Sequence, residues 1–199
     1  MSSPIKQLLY SINYIDKTEW PDGPWKLEPD KMLWVDEETG YECLIRRVKE
    51  ISHLCAYVGI TKEHCLFGFP LIRFRREELF LNYFDVHGSI TMSYPGKAFA
   101  SEPGPDDKLG RAEIEGRENP ANIWWIGMDF VQNDDIIPLI SDDPNDNNGE
   151  RIYRDVGYVT KEVTKLAHLL KKFQDDFDSG LVKFEKTDYS QQHPLSWQM

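Results

Sequence analysis

The sequence lacks the features that define membrane and secreted proteins. Its 199 residues contain no apolar run of about 18 residues, and the first 30 residues show no apolar stretch followed by a small-residue cleavage site. The three cysteines, Cys43, Cys55 and Cys65, are an odd number without Cys-x-x-Cys spacing, so neither a disulfide framework nor a zinc ribbon is predicted. We therefore expect a cytoplasmic protein without membrane contact.

The familiar motifs of catalysis and nucleotide binding are also missing. The chain has no Walker loop, no Gly-x-Gly-x-x-Gly, no Gly-x-Ser-x-Gly and no His-Glu-x-x-His. The segment DDPNDNNGE resembles a calcium loop only superficially, because Asn148 stands where the sharp turn needs glycine and Arg154 stands where the last ligand is a glutamate. The sequence assigns no cofactor and no metal, and it leaves open whether the chain is an enzyme.

Charge is unevenly distributed along the chain. The net charge is −11, and residues 101–150 hold 13 acidic and 3 basic residues, a net of −10. Direct binding to nucleic acid is not expected, because it requires a cationic surface. The segment FPLIRFRREELF instead concentrates Arg73, Arg75 and Arg76, whose planar guanidinium groups suit phosphate or carboxylate. These arginines are either a small anion site or simply solvent-facing positions.

The order of apolar segments predicts an α+β fold in a single domain over residues 31–186. We expect a mostly antiparallel sheet of five or six strands with one long C-terminal amphipathic helix packed on it. Residues 1–30 are predicted to be irregular and residues 187–199 to be a flexible tail. The helix is expected from position 155–160 to about Phe177, because apolar residues recur there at spacings of three and four.

The strands are predicted from runs of residues that favour extended chain. MLWVD and YECLIRRV form a hairpin that closes at Gly40, and LCAYVGI follows as a third strand. Residues 79–94 (LFLNYFDVHGSITMSY) read as a long extended run, and NIWWIGMDF as a strand buried on both faces. LVKFEK is predicted to be a short edge strand.

The segment DVHGSIT contains the first candidate site. In an extended strand, Asp85 and His87 would point to the same face, and Gly88 would leave room for a ligand. Such a pair can hold a metal, or the carboxylate can orient the imidazole as a general base. The alternative is a structural hydrogen-bonded pair.

The segment WWIGMDF contains the second candidate site. Strand alternation places Trp125, Gly127 and Asp129 on one face and Trp124 on the other, with Ile126, Met128 and Phe130. One face would be core and the other a pocket, where an indole stacks on a ring and the carboxylate bonds polar edges. The alternative is a packed central strand. Cys65 is a further option as a nucleophile, with His64 or His87 as base, against a buried thiol.

Five segments together resemble a family of small uncharacterised proteins encoded by bacteriophages and prophages. They are TGYECLIRR, LCAYVGI, DVHGSIT, WWIGMDF and YRDVGYVTKEVTKLAHLL, and the resemblance covers about residues 30–172. Members carry His-Gly-Gly-Leu-Thr and Trp-Trp-x-Gly-Phe-Asp segments. The chain departs from the family at Phe130-Val131-Gln132, where many members have Cys-Ala-His. The resemblance implies a phage accessory protein that acts in the cytoplasm of an infected bacterium.

Three functions follow from these observations. The first is a binding module for a small host molecule, plausibly a nucleotide-like signal. In this module Trp124 or Trp125 would stack on a base, and Arg73, Arg75 or Arg76 would bind phosphate. The polar edges of the ligand would be bound by Asp85, His87 and Asp129. The second is a metal-assisted hydrolase with Asp85, His87 and Asp129 as ligands and Asp134 or Asp135 as a further ligand or base. The third is an acidic protein that binds and inhibits a host protein. A homodimer is allowed by the apolar strands near both ends.

Overall fold

The computed structural model describes residues 5–95, 122–140 and 151–185. They form a six-stranded antiparallel sheet in the order β1-β2-β3-β4-β6-β5, which confirms the α+β class. The strands are β1 (Ile5–Ile12), β2 (Lys31–Asp36), β3 (Glu42–Arg47), β4 (Leu54–Thr61), β5 (Met92–Pro95) and β6 (Ile123–Asp129), and the helices are α1 (Leu71–Arg76), α2 (Glu78–Tyr83) and α3 (Val156–Asp178). The acidic loop and the C-terminal tail that the sequence predicts lie outside the described residues.

The predicted hairpin and central strands are confirmed. β2 pairs with β3, and the turn between them uses Gly40 at a φ of 73°, a left-handed conformation that favours glycine. All seven residues of β6 pair with β4, from Cys55 to Thr61, and nearly every residue of both strands is buried. A side chain at Gly127 would lie 2.3 Å from the backbone oxygen of Ala56, so these two strands pack too closely for any residue but glycine there.

Helix α3 covers one face of this sheet, as predicted. Its N-cap residue Asp155 accepts a hydrogen bond of 2.7 Å from the backbone N–H of Tyr158. Its buried face consists of Val159, Val163, Leu166, Ala167, Leu170 and Phe173. This face belongs to the main core cluster, which also contains Trp124, Ile126 and Met128 of β6 and Phe130, the residue that follows β6. These four residues were predicted to share one face, so the predicted alternation of the strand is confirmed. Burying this apolar stripe is what holds the helix on the sheet.

The prediction of extended chain over residues 79–94 is wrong for most of that segment. The structure has helix α2 there, then a loop over 84–91, and only the first three residues of β5, 92–94, as strand. The aromatic residues that suggested a strand instead recur at helical spacing, since Phe80 and Phe84 are four apart and both contact Phe173 of α3. Tertiary packing of aromatic rings therefore decides the local structure here.

Both ends of the described chain also differ from the prediction. The N-terminal segment is not irregular throughout, because β1 pairs with β2, with two register shifts. At the other end, residues 181–185 form no strand, and Phe184 packs against Phe69 at 5.5 Å between ring centroids. Val182 and Phe184 of LVKFEK thus extend the core and not the sheet, whereas Leu181 is exposed.

A buried group of charges attaches the N-terminal segment to β3. We call it the Asp30 cluster, and it consists of Lys17, Glu28, Asp30, Arg47 and Tyr153. Asp30 Oδ2 accepts hydrogen bonds of 2.9 Å from the backbone N–H groups of Tyr14 and Ile15. Its Oδ1 lies 2.6 Å from Lys17 Nζ and 3.4 Å from Arg47 Nε as ion pairs. Arg47 also pairs with Glu28 at 2.7 Å, so the two buried cations are matched by two carboxylates.

Candidate functional site

His87 lies in the loop that connects α2 to β5. This loop turns sharply, because Gly88 and Ser89 both have positive φ angles, of 62° and 76°. A side chain at position 88 would lie 2.2 Å from Nε2 of Gln132, so glycine lets the loop approach the segment that follows β6. The turn brings the imidazole against that segment.

The carboxylate that meets the imidazole is Asp135. His87 Nε2 lies 2.8 Å from Asp135 Oδ2, and the two side chains are 7% and 0% exposed. Asp135 also accepts hydrogen bonds of 2.8 Å from the backbone N–H of Gln132 and from Arg154 Nε. Three donors therefore converge on one buried carboxylate, which fixes its position.

The other side of the imidazole faces helix α3. His87 Nδ1 lies 3.3 Å from the hydroxyl of Tyr158, and the ring stacks on Phe130 at 4.8 Å with an interplanar angle of 15°. The backbone N–H of His87 donates a 3.0 Å hydrogen bond to Glu162. Contacts from the loop, from the segment after β6 and from α3 therefore hold the ring on all sides. We call this set, His87, Gln132, Asp135, Arg154, Tyr158 and Glu162, the His87 network.

Asp85 does not belong to this network. The loop conformation separates it from His87, and its exposed carboxylate lies 3.3 Å from Lys165 of α3. The expectation that Asp85 and His87 share the face of a strand is therefore wrong, because residues 85–91 do not form a strand. A carboxylate does contact the imidazole of His87, but it is that of Asp135 and not that of Asp85.

A second group of polar side chains lies beside the network, where β6 ends and β5 begins. The half-buried Asp129 is the last residue of β6, and its backbone N–H donates a 3.0 Å hydrogen bond to Thr91 Oγ1. Burial raises the pKa of the Asp129 carboxyl, while its hydrogen bonds and the positive charge of Arg75 act in the opposite direction. We call Arg75, Thr91, Tyr94 and Asp129 the edge site.

Tyr94 completes the edge site from strand β5. Tyr94 is paired with Trp125 of β6, and paired residues of neighbouring strands lie on the same face of a sheet. Since Trp125 and Asp129 are four residues apart in β6, they also share a face, so the side chains of Tyr94 and Asp129 lie on the same face. Burial raises the pKa of its phenol, Arg75 lowers that pKa, and Asp129 raises it. An arginine, an aromatic ring and a carboxyl from α1, β5 and β6 are thus within electrostatic range of one another.

The two tryptophans are core residues in this structure. Trp124 is 1% exposed, and its Nε1–H donates a 2.8 Å hydrogen bond to Ser93 Oγ. Trp125 is 3% exposed and belongs to a second apolar cluster on the opposite face, with Leu33, Leu44, Cys55, Tyr57 and Ile123. Stacking a base on either indole would require the packing around it to open. The interpretation of a packed central strand fits both residues.

The three arginines of α1 are not equivalent. Arg73 is paired with Glu77, the residue between α1 and α2, and donates a 2.6 Å hydrogen bond to the backbone oxygen of Glu185. Its guanidinium carbon lies 4.6 Å from the ring centroid of Phe69, so Arg73 joins α1 to the aromatic core. Arg75 and Arg76 are exposed, and Arg75 is the one whose charge acts on the edge site.

His64 is not arranged as a base for Cys65. Its Nδ1 accepts a 3.0 Å hydrogen bond from the backbone N–H of Leu66, so Nε2 carries the proton and donates to the backbone oxygen of Leu170 at 3.1 Å. The thiol of Cys65 is buried, 4.0 Å from His64 Nδ1. Both side chains connect the loop after β4 to α3.

Metal ligands are not assembled in the described part of the chain, where no group of three or more His, Cys, Asp or Glu side chains could hold a metal ion. The set Asp85, His87 and Asp129 that the sequence suggested is therefore not brought together there. Sequence reasoning did not identify Arg154, Tyr158 and Glu162. Their spacing in the sequence could have identified them, because polar residues that recur every four positions lie on one side of a helix.

Comparison with known proteins adds no further information about this site. No protein family, no curated protein and no solved structure matches the chain. No helix within the described ranges is long and apolar enough to cross a membrane.

Proposed function

We propose that the chain is a phage accessory protein that binds a small nucleotide-like molecule of the host at the edge site, within the bacterial cytoplasm. The observation that carries the proposal is that Tyr94 and Asp129 lie on the same face of the neighbouring strands β5 and β6. The exposed Arg75 of α1 is within electrostatic range of both. These three kinds of group suit a nucleotide: a cation can bind phosphate, an aromatic ring can pack beside the base, and a carboxyl can accept hydrogen bonds from the base's amino edge. The phage origin rests on the resemblance of the five sequence segments.

The charges around the site suggest how such a ligand would be oriented. Arg75 is exposed at the end of α1, whereas Asp129 is half-buried beside Thr91. The phosphate would therefore lie toward Arg75 and solvent, and the base would lie toward Asp129. His87 would not contact the ligand through its nitrogens, because Asp135 and Tyr158 occupy both.

Thermal unfolding in the presence of mono-, di-, tri- and cyclic nucleotides tests the proposal. A ligand at 100 times its Kd stabilises the folded state by about 2.7 kcal/mol, which raises the Tm of a chain of this size by about 5–10 °C. Because a hydrogen bond to a charged group contributes about 1.5–3 kcal/mol, Arg75→Gln should weaken binding about 10- to 100-fold. Arg76→Gln is the matched control, since it removes an equally exposed charge from the next position.

Three outcomes would contradict the proposal. Equal loss of affinity in Arg75→Gln and Arg76→Gln would mean non-specific attraction between charges. Turnover of a nucleotide that requires Mn²⁺ would favour the metal-assisted hydrolase. The absence of stabilisation by any nucleotide would favour an acidic protein that binds a host protein, with a steep salt dependence as its signature.

A further inference from the structure

The His87 network has a defined hydrogen-bond direction. Asp135 Oδ2 is an acceptor, since it already receives the backbone N–H of Gln132, so the proton between Asp135 and His87 is on Nε2. In the neutral imidazole, Nδ1 is then the acceptor, and the hydroxyl of Tyr158 is its donor. The order Tyr158–His87–Asp135 is that of a nucleophile, a base and an orienting carboxylate.

Tyr158 is the solvent-accessible end of this series of three hydrogen-bonded residues. The side chains of His87 and Asp135 are 7% and 0% exposed, whereas Tyr158 is partly exposed in the first turn of α3. The pKa of Tyr158 is raised by burial and by the negative charge of Glu162, while Arg154 lowers it. The phenol therefore keeps its proton at rest, and it becomes a nucleophile only if a base takes that proton as the new bond forms. His87 Nδ1 is placed to do so.

We propose that Tyr158 is a catalytic nucleophile that accepts an acyl group from an ester, with His87 as its general base. In this step, the oxygen of Tyr158 forms a bond to the acyl carbon while its proton moves to His87 Nδ1. The bond from the acyl carbon to the alkoxy oxygen then breaks, and that oxygen leaves as an alcohol with the proton from Nδ1. Asp135 stays unprotonated and stabilises the transient imidazolium. Water then attacks the acyl carbon of acyl-Tyr158 while one of its protons moves to His87 Nδ1. The bond from the acyl carbon to the Tyr158 oxygen breaks, that oxygen takes the proton back from Nδ1, and the carboxylic acid is released.

The charges around Tyr158 indicate the class of substrate. Asp134, Asp135 and Glu162 all lie on this side of the molecule, and Arg154 pairs with the first two at 2.6 and 2.8 Å. The guanidinium carbon of Arg154 lies 4.9 Å from the centroid of the Tyr158 ring. Three carboxylates against one arginine disfavour an anionic substrate, so we expect a neutral or cationic ester. This inference depends on the His87 network alone and is independent of nucleotide binding at the edge site.

The rate at which p-nitrophenyl acetate acetylates individual tyrosines tests the proposal in the intact protein. Tyr83 is the internal control, because it too is partly exposed, has a cation 5.2 Å from its ring centroid and donates a hydrogen bond to a carboxylate, Asp176. Among the described residues it has no imidazole partner. General-base assistance is worth about 100-fold or more, so Tyr158 should be acetylated about 100 times faster than Tyr83 by peptide mass mapping. Equal rates at the two tyrosines would overturn the proposal.

Two further measurements separate catalysis from a structural role. His87→Gln should reduce the rate at Tyr158 to that at Tyr83 while the rate at Tyr83 stays unchanged. Because this variant also removes a buried hydrogen bond and could unfold the loop, the unmodified protein supplies an independent test. The ¹⁵N chemical shifts of its imidazoles should show His87 with a proton on Nε2 and none on Nδ1. A proton on Nδ1 in the neutral ring would reverse the hydrogen-bond direction and refute the proposal.

Discussion

Replacing Asp30 with asparagine tests the role of the Asp30 cluster in stability. The carboxylate is 0% exposed, as is the side chain of Arg47, and that of Lys17 is 7% exposed. The asparagine side chain would keep one oxygen for the backbone N–H groups of Tyr14 and Ile15, but its amide nitrogen would face the two cations. The buried group would then hold two positive charges and one negative charge, from Glu28.

The expected loss of stability follows from this imbalance. Removing one partner of a buried ion pair costs about 3–5 kcal/mol. Since the oxygen that accepts the two backbone hydrogen bonds remains, we expect the lower end, about 3 kcal/mol, for Asp30→Asn. For a chain of this length that corresponds to a decrease in Tm of about 6–12 °C. Most folded proteins have about 5–15 kcal/mol of stability, so the variant should still fold.

Urea unfolding followed by tryptophan fluorescence measures the change directly. Asp22→Asn is the matched control, because Asp22 also pairs with a lysine, Lys26, but its side chain is 97% exposed. Such a surface pair contributes about 0–1 kcal/mol. If Asp30→Asn were no more destabilising than Asp22→Asn, the buried charges would not hold the N-terminal segment on the sheet, and the reasoning would be refuted.

Two other predictions concern the sheet. Gly127→Ala should destabilise the protein by about 3 kcal/mol, because the new methyl group would lie 2.3 Å from the rigid backbone oxygen of Ala56. The control Gly157→Ala, in the exposed first turn of α3, should change the unfolding free energy by less than about 1 kcal/mol. Similar urea midpoints for the two variants would contradict this prediction. The second prediction concerns His53, whose pKa is lowered from 6.5 to about 4 by burial and by the nearby charges of Arg46 and Arg47. As the pH falls, the unfolded state therefore binds the proton before the folded state does. The free energy of unfolding should decrease by about 3 kcal/mol between pH 6.5 and pH 4. His53→Gln should flatten this part of the pH profile, and an unchanged slope in that variant would assign the effect to other groups.

The parts of the fold that follow from local pattern were predictable. The period of α3, the turn at Gly40 and the apolar run of β6 are local signals, and each one led to the correct element. The segment around Phe80 was not predictable in this way, because strand-forming residue types there occur at helical spacing. Contact with Phe173, more than ninety residues later, decides between the two.

The candidate site was predictable only in part for a similar reason. His87 and Asp129 are identified by residue type, but the partner of His87 depends on the turn at Gly88, which no pattern of alternation reveals. Asp135 and Tyr158 are 48 and 71 residues away from His87 along the chain. For the tryptophans the sequence left two interpretations open, because a pair of aromatic residues fits a core strand as well as a pocket, and their burial favours the core strand.

The position of α3 has a consequence for synthesis of the chain on the ribosome. The six strands of the described sheet are all complete by residue 129, whereas the helix that covers their apolar face begins at residue 156. During synthesis, therefore, the sheet can form before its cover exists, and it exposes a wide apolar surface while the remaining residues emerge. That nascent intermediate is the species most prone to misassociate with other chains or to be captured by a chaperone. A pause in synthesis after β6 has left the ribosome and before α3 has done so would lengthen the time for which this apolar face is exposed.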